Sequence, residues 1–218
     1  MKILLLGATG RTGRYVLMEA LQRGYEVHAL VRDVSKVEIQ SIGLMLFTGN
    51  PQDKVALGKA IQGCDVVISA LNISRVSDFP WARLRTPLDF LENTLGHLID
   101  HMDTLGMKRL ILTSAWGVGD SREEIPGWFK WFIDNSNVGK AYAQHEVQEK
   151  MLKESNLDWT AVRPVGLTNG NKIKELIVSS AGNPKPRLTI SRKHTAKFML
   201  DCLQQNEFIK ATPVISEK

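Results

Sequence analysis

Cysteine is scarce in this chain, with two in 218 residues. Cys64 and Cys202 lie far apart in apolar surroundings, Gly63-Cys64-Asp65-Val66-Val67 and Leu200-Asp201-Cys202-Leu203. Neither belongs to a Cys-x-x-Cys pair or to a Cys/His spacing that holds metal, so no metal is predicted and a disulfide scaffold is excluded. Both read as buried thiols in a reducing compartment. Long apolar runs are also missing. Met1 to Leu6 carries a single Lys and a run too short for a signal-peptide core, and nothing later approaches a membrane span of ~20 residues. The expectation is a cytoplasmic protein with no membrane partner. Repeats and low-complexity tracts are lacking. The formal charge of +5 and pI near 9.2 come from Lys and Arg scattered along the chain rather than gathered into a stripe. That pattern predicts a basic soluble surface and no nucleic-acid partner.

What is present is concentrated at the start, in Lys2-Ile3-Leu4-Leu5-Leu6-Gly7-Ala8-Thr9-Gly10-Arg11-Thr12-Gly13. A short apolar run fits a buried parallel strand. It breaks directly into three evenly spaced glycines, which give the sharp turn and bare backbone a pyrophosphate needs. From Arg11 or Thr12 to Arg23 the apolar positions Val16, Leu17, Ala20 and Leu21 have helical spacing, so the turn presents a helix N-terminus to an anion. An ordinary strand-to-helix turn also uses glycine, but the strand before, the helix after and the position at residue 3 favour a dinucleotide site. Gly7, Thr9, Gly10, Arg11, Thr12 and Gly13 are the predicted cofactor-binding residues of this turn.

Apolar runs and helical patterns then alternate. Strands are predicted at Ile3–Leu6, Val27–Val31, Leu44–Phe47, Val66–Ser69, Arg109–Thr113 and Trp159–Arg163. Helices are predicted up to Arg23 and near Val55–Ile61, Leu88–Leu105, Ala141–Ser155 and Lys193–Gln204, the last with Ser191 as its N-cap. Strands separated by helices imply right-handed crossovers and an α/β Rossmann-type, doubly wound parallel sheet of order 3-2-1-4-5-6, with the ligand at the switch point beside the first strand. The length suits one domain over 1–218. After Pro164 the pattern loosens through Gly166, Asn169-Gly170-Asn171 and Gly182-Asn183-Pro184. Residues 164–218 are predicted to contribute to the substrate side, although they serve equally as plain connections.

Six further blocks occur in order with the glycine turn. They are Gly24-Tyr25-Glu26-Val27 leading to Val31-Arg32-Asp33, Gly63-Cys64-Asp65-Val66-Val67-Ile68-Ser69-Ala70-Leu71, Leu112-Thr113-Ser114-Ala115, Ser155-Asn156-Leu157-Asp158-Trp159-Thr160-Ala161-Val162-Arg163-Pro164, Ile190-Ser191-Arg192, and Phe198-Met199-Leu200-Asp201-Cys202-Leu203. Together they resemble, over nearly the whole chain, the atypical short-chain dehydrogenase/reductase group. This is the NAD(P)H-binding subset that includes biliverdin-IXβ/flavin reductases and NmrA-like proteins.

The second strand ends in Val31-Arg32-Asp33. Arg32 can pair with a 2′-phosphate through its planar fork, where a carboxylate in first place would repel it, so NADP is favoured over NAD. A solvated strand-end charge is the plain alternative, and Asp33 remains able to serve the ribose of NAD. Arg11 is a second phosphate contact. Where the resembling proteins carry Gly-Asp, this chain has Gly49-Asn50, and the Asn50 amide oxygen can still accept from an adenine amino group. The resemblance implies that Ser69, Ala70 and Leu71 lie along the adenosine and its ribose, and that Pro164 and Val165 meet the carboxamide with backbone freed from the sheet. Thr113 is placed with them on the cofactor.

The resemblance also places Ser114 beside the nicotinamide, where a hydroxyl donates to a developing oxyanion or positions a carbonyl; a strand-end Ser bonding to backbone is the alternative. The Tyr-x-x-x-Lys pair of ordinary short-chain dehydrogenases is missing, because Tyr142-Ala143-Gln144-His145-Glu146 puts Glu where Lys should stand and would raise the phenol pKa. Hydride transfer to a conjugated planar acceptor such as a flavin, quinone or tetrapyrrole asks less of a protein acid. His145 lies on one predicted helix face with Gln148 and Glu149, and reads first as a surface residue and second as a group near the substrate. His194 stands where the relatives have Asp, which weakens a capping box. Trp128-Phe129-Lys130-Trp131-Phe132, with Trp116 and Trp81, supply either a flat pocket or core packing. Trp116, Trp128, Trp131 and His145 are the candidate substrate residues. The leading expectation is an NAD(P)H-dependent reductase of a planar acceptor, monomeric or weakly associated with itself. A dinucleotide-binding redox sensor without turnover comes second, and a nucleotide-sugar epimerase or dehydratase last.

Overall fold

The first strand is buried on both sides. Ile3 and Leu5 face one core with Val16, Leu17, Ala196 and Met199, while Leu4 and Leu6 face another with Leu57, Ile61, Leu95 and Leu152. Side chains alternate across a pleat, so a strand between two helical layers must be apolar at every position, and Ile-Leu-Leu-Leu meets that demand. The computed structural model describes residues 1–170 and 174–218. In chain order the elements are β1 (Lys2–Leu6), α1 (Gly13–Gln22), β2 (Glu26–Val31), β3 (Leu44–Thr48), α2 (Lys54–Ile61), β4 (Val66–Ser69), α3 (Phe90–Thr104), β5 (Arg109–Thr113), α4 (Gly127–Asp134), α5 (Val138–Glu154), β6 (Asp158–Pro164), β7 (Gly166–Thr168), β8 (Leu176–Ser179), β9 (Thr189–Ser191), α6 (Arg192–Gln204) and β10 (Val214–Glu217). Asn171, in the Gly/Asn-rich stretch singled out above, lies outside the described residues.

Among the described residues the main sheet has eight strands in the order β3-β2-β1-β4-β5-β6-β10-β8. Neighbours run parallel up to β10, and the final β10–β8 pair is antiparallel. The predicted 3-2-1-4-5-6 arrangement is therefore present, and two strands extend it. The order reverses between β1 and β4, which opens a crevice at the carboxyl ends of those strands. Helices α1 and α6 cover one face and α2, α3 and α5 the other.

The described residues after Pro164 hold more structure than their pattern suggested. β7 and β9 pair in parallel, and β8 and β10 join the main sheet. Runs of three or four residues are too short for a period to stand out. Ser191 caps α6, its oxygen accepting from the His194 N–H at 3.2 Å. His194 makes no reciprocal cap; its Nδ1 meets Glu217 Oε1 at 2.8 Å. Among the described residues, no helix is long and apolar enough to cross a membrane.

Candidate functional site

The turn after β1 is built by contact rather than by flexibility alone. Gly7 has φ +83°, and a Cβ there would stand 2.9 Å from the Ala70 carbonyl oxygen; at Gly13 it would stand 1.9 Å from the Gly7 oxygen. Only bare backbone passes through these two points. α1 then begins without a side-chain cap from Thr12 and without an acid in its first turn. The Arg14 N–H bonds the Gly10 carbonyl at 3.0 Å and the Tyr15 N–H the Thr12 carbonyl at 2.9 Å, and the positive end of the helix dipole still faces the turn and favours an anion there. The residues therefore fit a dinucleotide's bridging phosphates.

From this turn a groove of about 700 Å³ runs across the ends of β1, β2 and β4. It brings together Gly7, Thr9, Gly10, Arg11, Thr12, Arg32, Ala70 and Leu71 of the predicted set. At the β2 end Arg32 is exposed and Lys36 joins it on the groove wall. Asp33 turns away into its own 3-10 turn, accepting from the Ser35 hydroxyl at 2.6 Å and the Ser35 N–H at 3.0 Å. Those hydrogen bonds hold its carboxyl below the usual range. Asn50 stands back from the groove; its amide oxygen accepts from the Gln52 N–H at 3.2 Å, and the neighbouring Pro51 reaches the wall.

The other wall is a segment the sequence pattern did not single out. Asn72 to Asp78, with Arg85, Thr86 and Phe90, line the groove between β4 and α3. Asp78 grips Arg11 through two hydrogen bonds of 2.9 and 2.8 Å. The available signal was length, since 20 residues separate Ser69 from Phe90, where such connections in α/β units usually take ~2–6. Leu167 and Arg192 close the groove from the C-terminal part. Among the described residues its ionic lining is six cations (Arg11, Arg32, Lys36, Arg75, Arg85, Arg192) and one acid (Asp78).

Gly13, Asn50, Ser69, Thr113, Ser114, Pro164 and Val165 are not on the groove wall. Ser69 and Ser114 are buried, and the Thr113 hydroxyl faces the carbonyls of Ser69 and Leu71 at 3.5 and 3.4 Å. Ser114 donates its hydroxyl hydrogen to Glu149 Oε1 at 2.6 Å. The same oxygen accepts from Arg163 Nε at 2.9 Å, and Arg163 also reaches Asp120 at 2.7 Å. A hydroxyl committed in this way has no hydrogen left for an oxyanion. Pro164 does not take the chain out of the sheet. It ends β6 in register with Ile215, its carbonyl accepts from the Trp116 N–H at 3.1 Å, and the Val165 N–H donates to Ile215 at 3.2 Å. A strand end tolerates proline because the missing N–H leaves the next residue's hydrogen bond intact.

His145 is buried, not exposed. Its Nε2 lies 3.2 Å from Asn72 Oδ1 and its Nδ1 3.3 Å from Gln148 Oε1, of which a neutral ring donates to one, and it stands one residue behind the groove wall. Burial pushes its pKa down to about 4, which keeps it neutral near pH 7. Glu149 and Gln148 share that buried face of α5, which explains how a helix of mostly polar residues packs. The Tyr142 hydroxyl donates to the Trp116 carbonyl at 3.2 Å, and burial raises its pKa. Tyr142 and Glu146 border a second cavity of about 550 Å³ with Arg122, Lys140 and the Gly117–Gly119 turn.

The aromatic candidates do not form a pocket wall. Trp116 is a core residue whose indole donates to Glu124 at 3.2 Å. Trp128 and Trp131 are 64% and 61% exposed and line neither cavity. Phe129 and Phe132 supply the inward face of α4, against Tyr142 and Trp81 respectively, each at a ring-centroid distance of 6.3 Å. The helical spacing of this segment thus divides into packing residues and solvent-facing tryptophans.

Comparison with known proteins matches residues 7–206 to the family described as NAD(P)H-binding. An uncharacterized chloroplastic protein of Arabidopsis thaliana is 26% identical over 216 residues, which is 94% of this chain and 73% of that one. The photosystem II assembly factor Ycf39 of Synechocystis is 25% identical over 227 residues, covering 100% of this chain and 63% of the longer relative. Among solved structures, the anaerobilin reductase ChuY of Escherichia coli O157:H7 superposes with a TM-score of 0.81 at 22% identity, over 100% of this chain and 97% of that one. A short-chain dehydrogenase/reductase of Veillonella parvula in complex with NADP gives 0.81 at 18% identity, over 99% and 94%. At these identities the superpositions establish the Rossmann-type fold.

Proposed function

This chain belongs to the NAD(P)H-binding family, and from that premise we propose that it is an NAD(P)H-dependent reductase that passes hydride to a planar conjugated acceptor such as a flavin, quinone or tetrapyrrole. The observation that carries the reading is a glycine-turn groove with six cations against one acid, joined to a chain that has Glu146 where a Tyr-Lys pair would need lysine. A dinucleotide brings phosphates to such a groove, and a conjugated acceptor spreads charge so that solvent can supply the proton. NADP is favoured over NAD because Arg32 and Lys36 stand together at the β2 end while Asp33 is spent on Ser35.

In this reading the glycine turn binds the bridging phosphates, Arg32 takes the 2′-phosphate, and Ala70 and Leu71 lie along the adenosine half. Residues 164–218 reach the site through Leu167 and Arg192, which supports their assignment to the acceptor side. The buried free thiols Cys64 and Cys202, whose pKa values burial pushes up to about 11 and about 12, suit a reducing cytoplasm. One observation favours the second reading, a dinucleotide sensor. The Ser114 hydrogen is committed to Glu149 and unavailable for proton donation. Steady-state and stopped-flow oxidation of NADPH and NADH with FMN, riboflavin, menadione and biliverdin separates the two. Turnover with any acceptor supports the reductase; tight dinucleotide binding with none supports the sensor.

A further inference from the structure

Arg192 is the first residue of α6, 9% exposed and on the groove wall. Its guanidinium donates to Asn169 Oδ1 at 2.7 Å, and among the described residues no carboxylate forms an ion pair with it. The acid that faces it, Asp78, is held by both nitrogens of Arg11. Arg163 and Arg23 are matched by carboxylates, whereas the Nε atoms of Arg109 and of half-buried Arg75 have no partner among the described residues. Arg163 has Glu149 and Asp120, Arg23 has Glu19 and Asp201, and Arg109 sits among the carbonyls of Asp158, Cys202 and Glu207 and the hydroxyl of Thr160. Among the described residues the Arg192 guanidinium, on a side chain only 9% exposed, has one acceptor for five donors, a desolvation cost that an anion in the groove would offset. Burial, then the neighbouring Arg11, lower its pKa, in line with that cost.

Its place in the fold says which anion. At the far end of α1, Arg23 bonds Lys197, Asp201 and Gln204 of α6, so the two helices run the same way and begin side by side. Arg192 therefore stands next to the glycine turn. α6 packs on β5 and β6, whereas Arg32 and Lys36 stand at the β2 end. The groove's cations thus lie on both sides of the turn. We infer that Arg192, held by Asn169, is an anion subsite that takes the phosphate on the nicotinamide side of a bound dinucleotide. This rests on the dinucleotide reading of the groove and adds a contact to it. Arg32 reads the 2′-phosphate that only NADP carries; Arg192 reads a phosphate common to NADP and NAD.

Calorimetric titration of wild type, Arg192→Gln and Arg192→Lys with NADP+, NAD+ and 2′,5′-ADP tests this. The last ligand keeps the adenosine-side phosphates and lacks the nicotinamide-side one. Arg192→Gln is expected to lose roughly 10- to 100-fold in affinity for NADP+ and NAD+ alike, the weight of a charge-assisted contact. Its affinity for 2′,5′-ADP is expected to stay within about twofold of wild type, which also reports an intact adenosine half. Arg192→Lys, which keeps the charge without the planar fork, is expected to fall between. The apo Arg192→Gln protein is expected to melt no lower than wild type, since an uncompensated buried cation has gone. Unchanged NADP+ affinity overturns the proposal, and so does an equal loss for 2′,5′-ADP. Failure of the wild type to bind any dinucleotide overturns the reading of the groove itself.

Discussion

Ser114 at the end of β5 donates its hydroxyl to Glu149 in α5 across 2.6 Å, and Arg163 from β6 grips the same carboxylate. Three elements meet at one buried charge pair, with Glu149 2% and Arg163 1% exposed. Removing Glu149 leaves the buried Arg163 with only the exposed Asp120 to answer its charge. Glu149→Leu is expected to cost about 3–5 kcal/mol of unfolding free energy, and Glu149→Leu/Arg163→Met less than that. Urea denaturation of Glu149→Leu, Arg163→Met and the double variant measures the difference; a double variant as unstable as the sum of its singles would show that the pair is not coupled. Ser114→Ala leaves that pair in place and removes one hydrogen bond to it. It is expected to cost about 1 kcal/mol of stability with turnover and NADPH affinity nearly intact, and a loss of turnover would return Ser114 to the site.

Arg32 and Lys36 stand together on the groove wall while Asp33 is committed to Ser35. Arg32→Ala is expected to weaken NADPH binding roughly 10- to 100-fold and NADH binding little, because only NADPH carries the 2′-phosphate. Fluorescence titration with both cofactors decides it. Equal losses would remove Arg32 from the phosphate assignment.

At Gly13 an added Cβ would stand 1.9 Å from the Gly7 oxygen. Gly13→Ala therefore forces the turn open. The expected outcome is loss of the melting-temperature rise expected for wild type with NADPH. Retention of that rise would mean the turn relaxes without losing its phosphate site.

The buried His145, with a pKa near 4 in the fold, links stability to pH. The unfolded chain takes up a proton near the ordinary His value of ~6.5 while the folded protein resists until about 4, so stability falls as pH drops through that interval. The full effect is about 3 kcal/mol, or roughly 6–12 °C for a chain of this size. Thermal melts of wild type and His145→Gln between pH 7 and pH 4 isolate it. The two curves are expected to converge toward acid by that amount, and parallel curves would show that His145 protonates freely in the fold.

Long elements and their order were legible because their periods persist over enough residues. Ile3–Leu6 reads as a strand buried on both sides, Val16, Leu17 and Ala20 mark the buried face of α1, and the glycine turn between them is recognisable from spacing alone. β10 escaped notice because four residues carry no clear period. His145 was read as exposed because α5 has a mostly polar face count; its burial depends on Asn72, which is distant in sequence. Asp33, left by the sequence as an alternative partner for the ribose of NAD, is held in its own local turn by Ser35.

The sequence by itself determined the doubly wound sheet, the glycine turn with its helix behind it, the basic end of β2 and the lack of a Tyr-Lys pair. These follow from local periodicity, backbone sterics and residue identity, none of which needs a partner from elsewhere. Only the tertiary structure decided which of the named side chains are free to act. It committed Ser114 to Glu149 and Arg11 to Asp78, spent the Pro164 carbonyl on Trp116 and the Val165 amide on the sheet, and left Arg192 at the groove without a carboxylate among the described residues. Whether a charge or a hydroxyl is satisfied depends on groups brought together by folding, and those contacts span up to tens of residues that no local pattern connects.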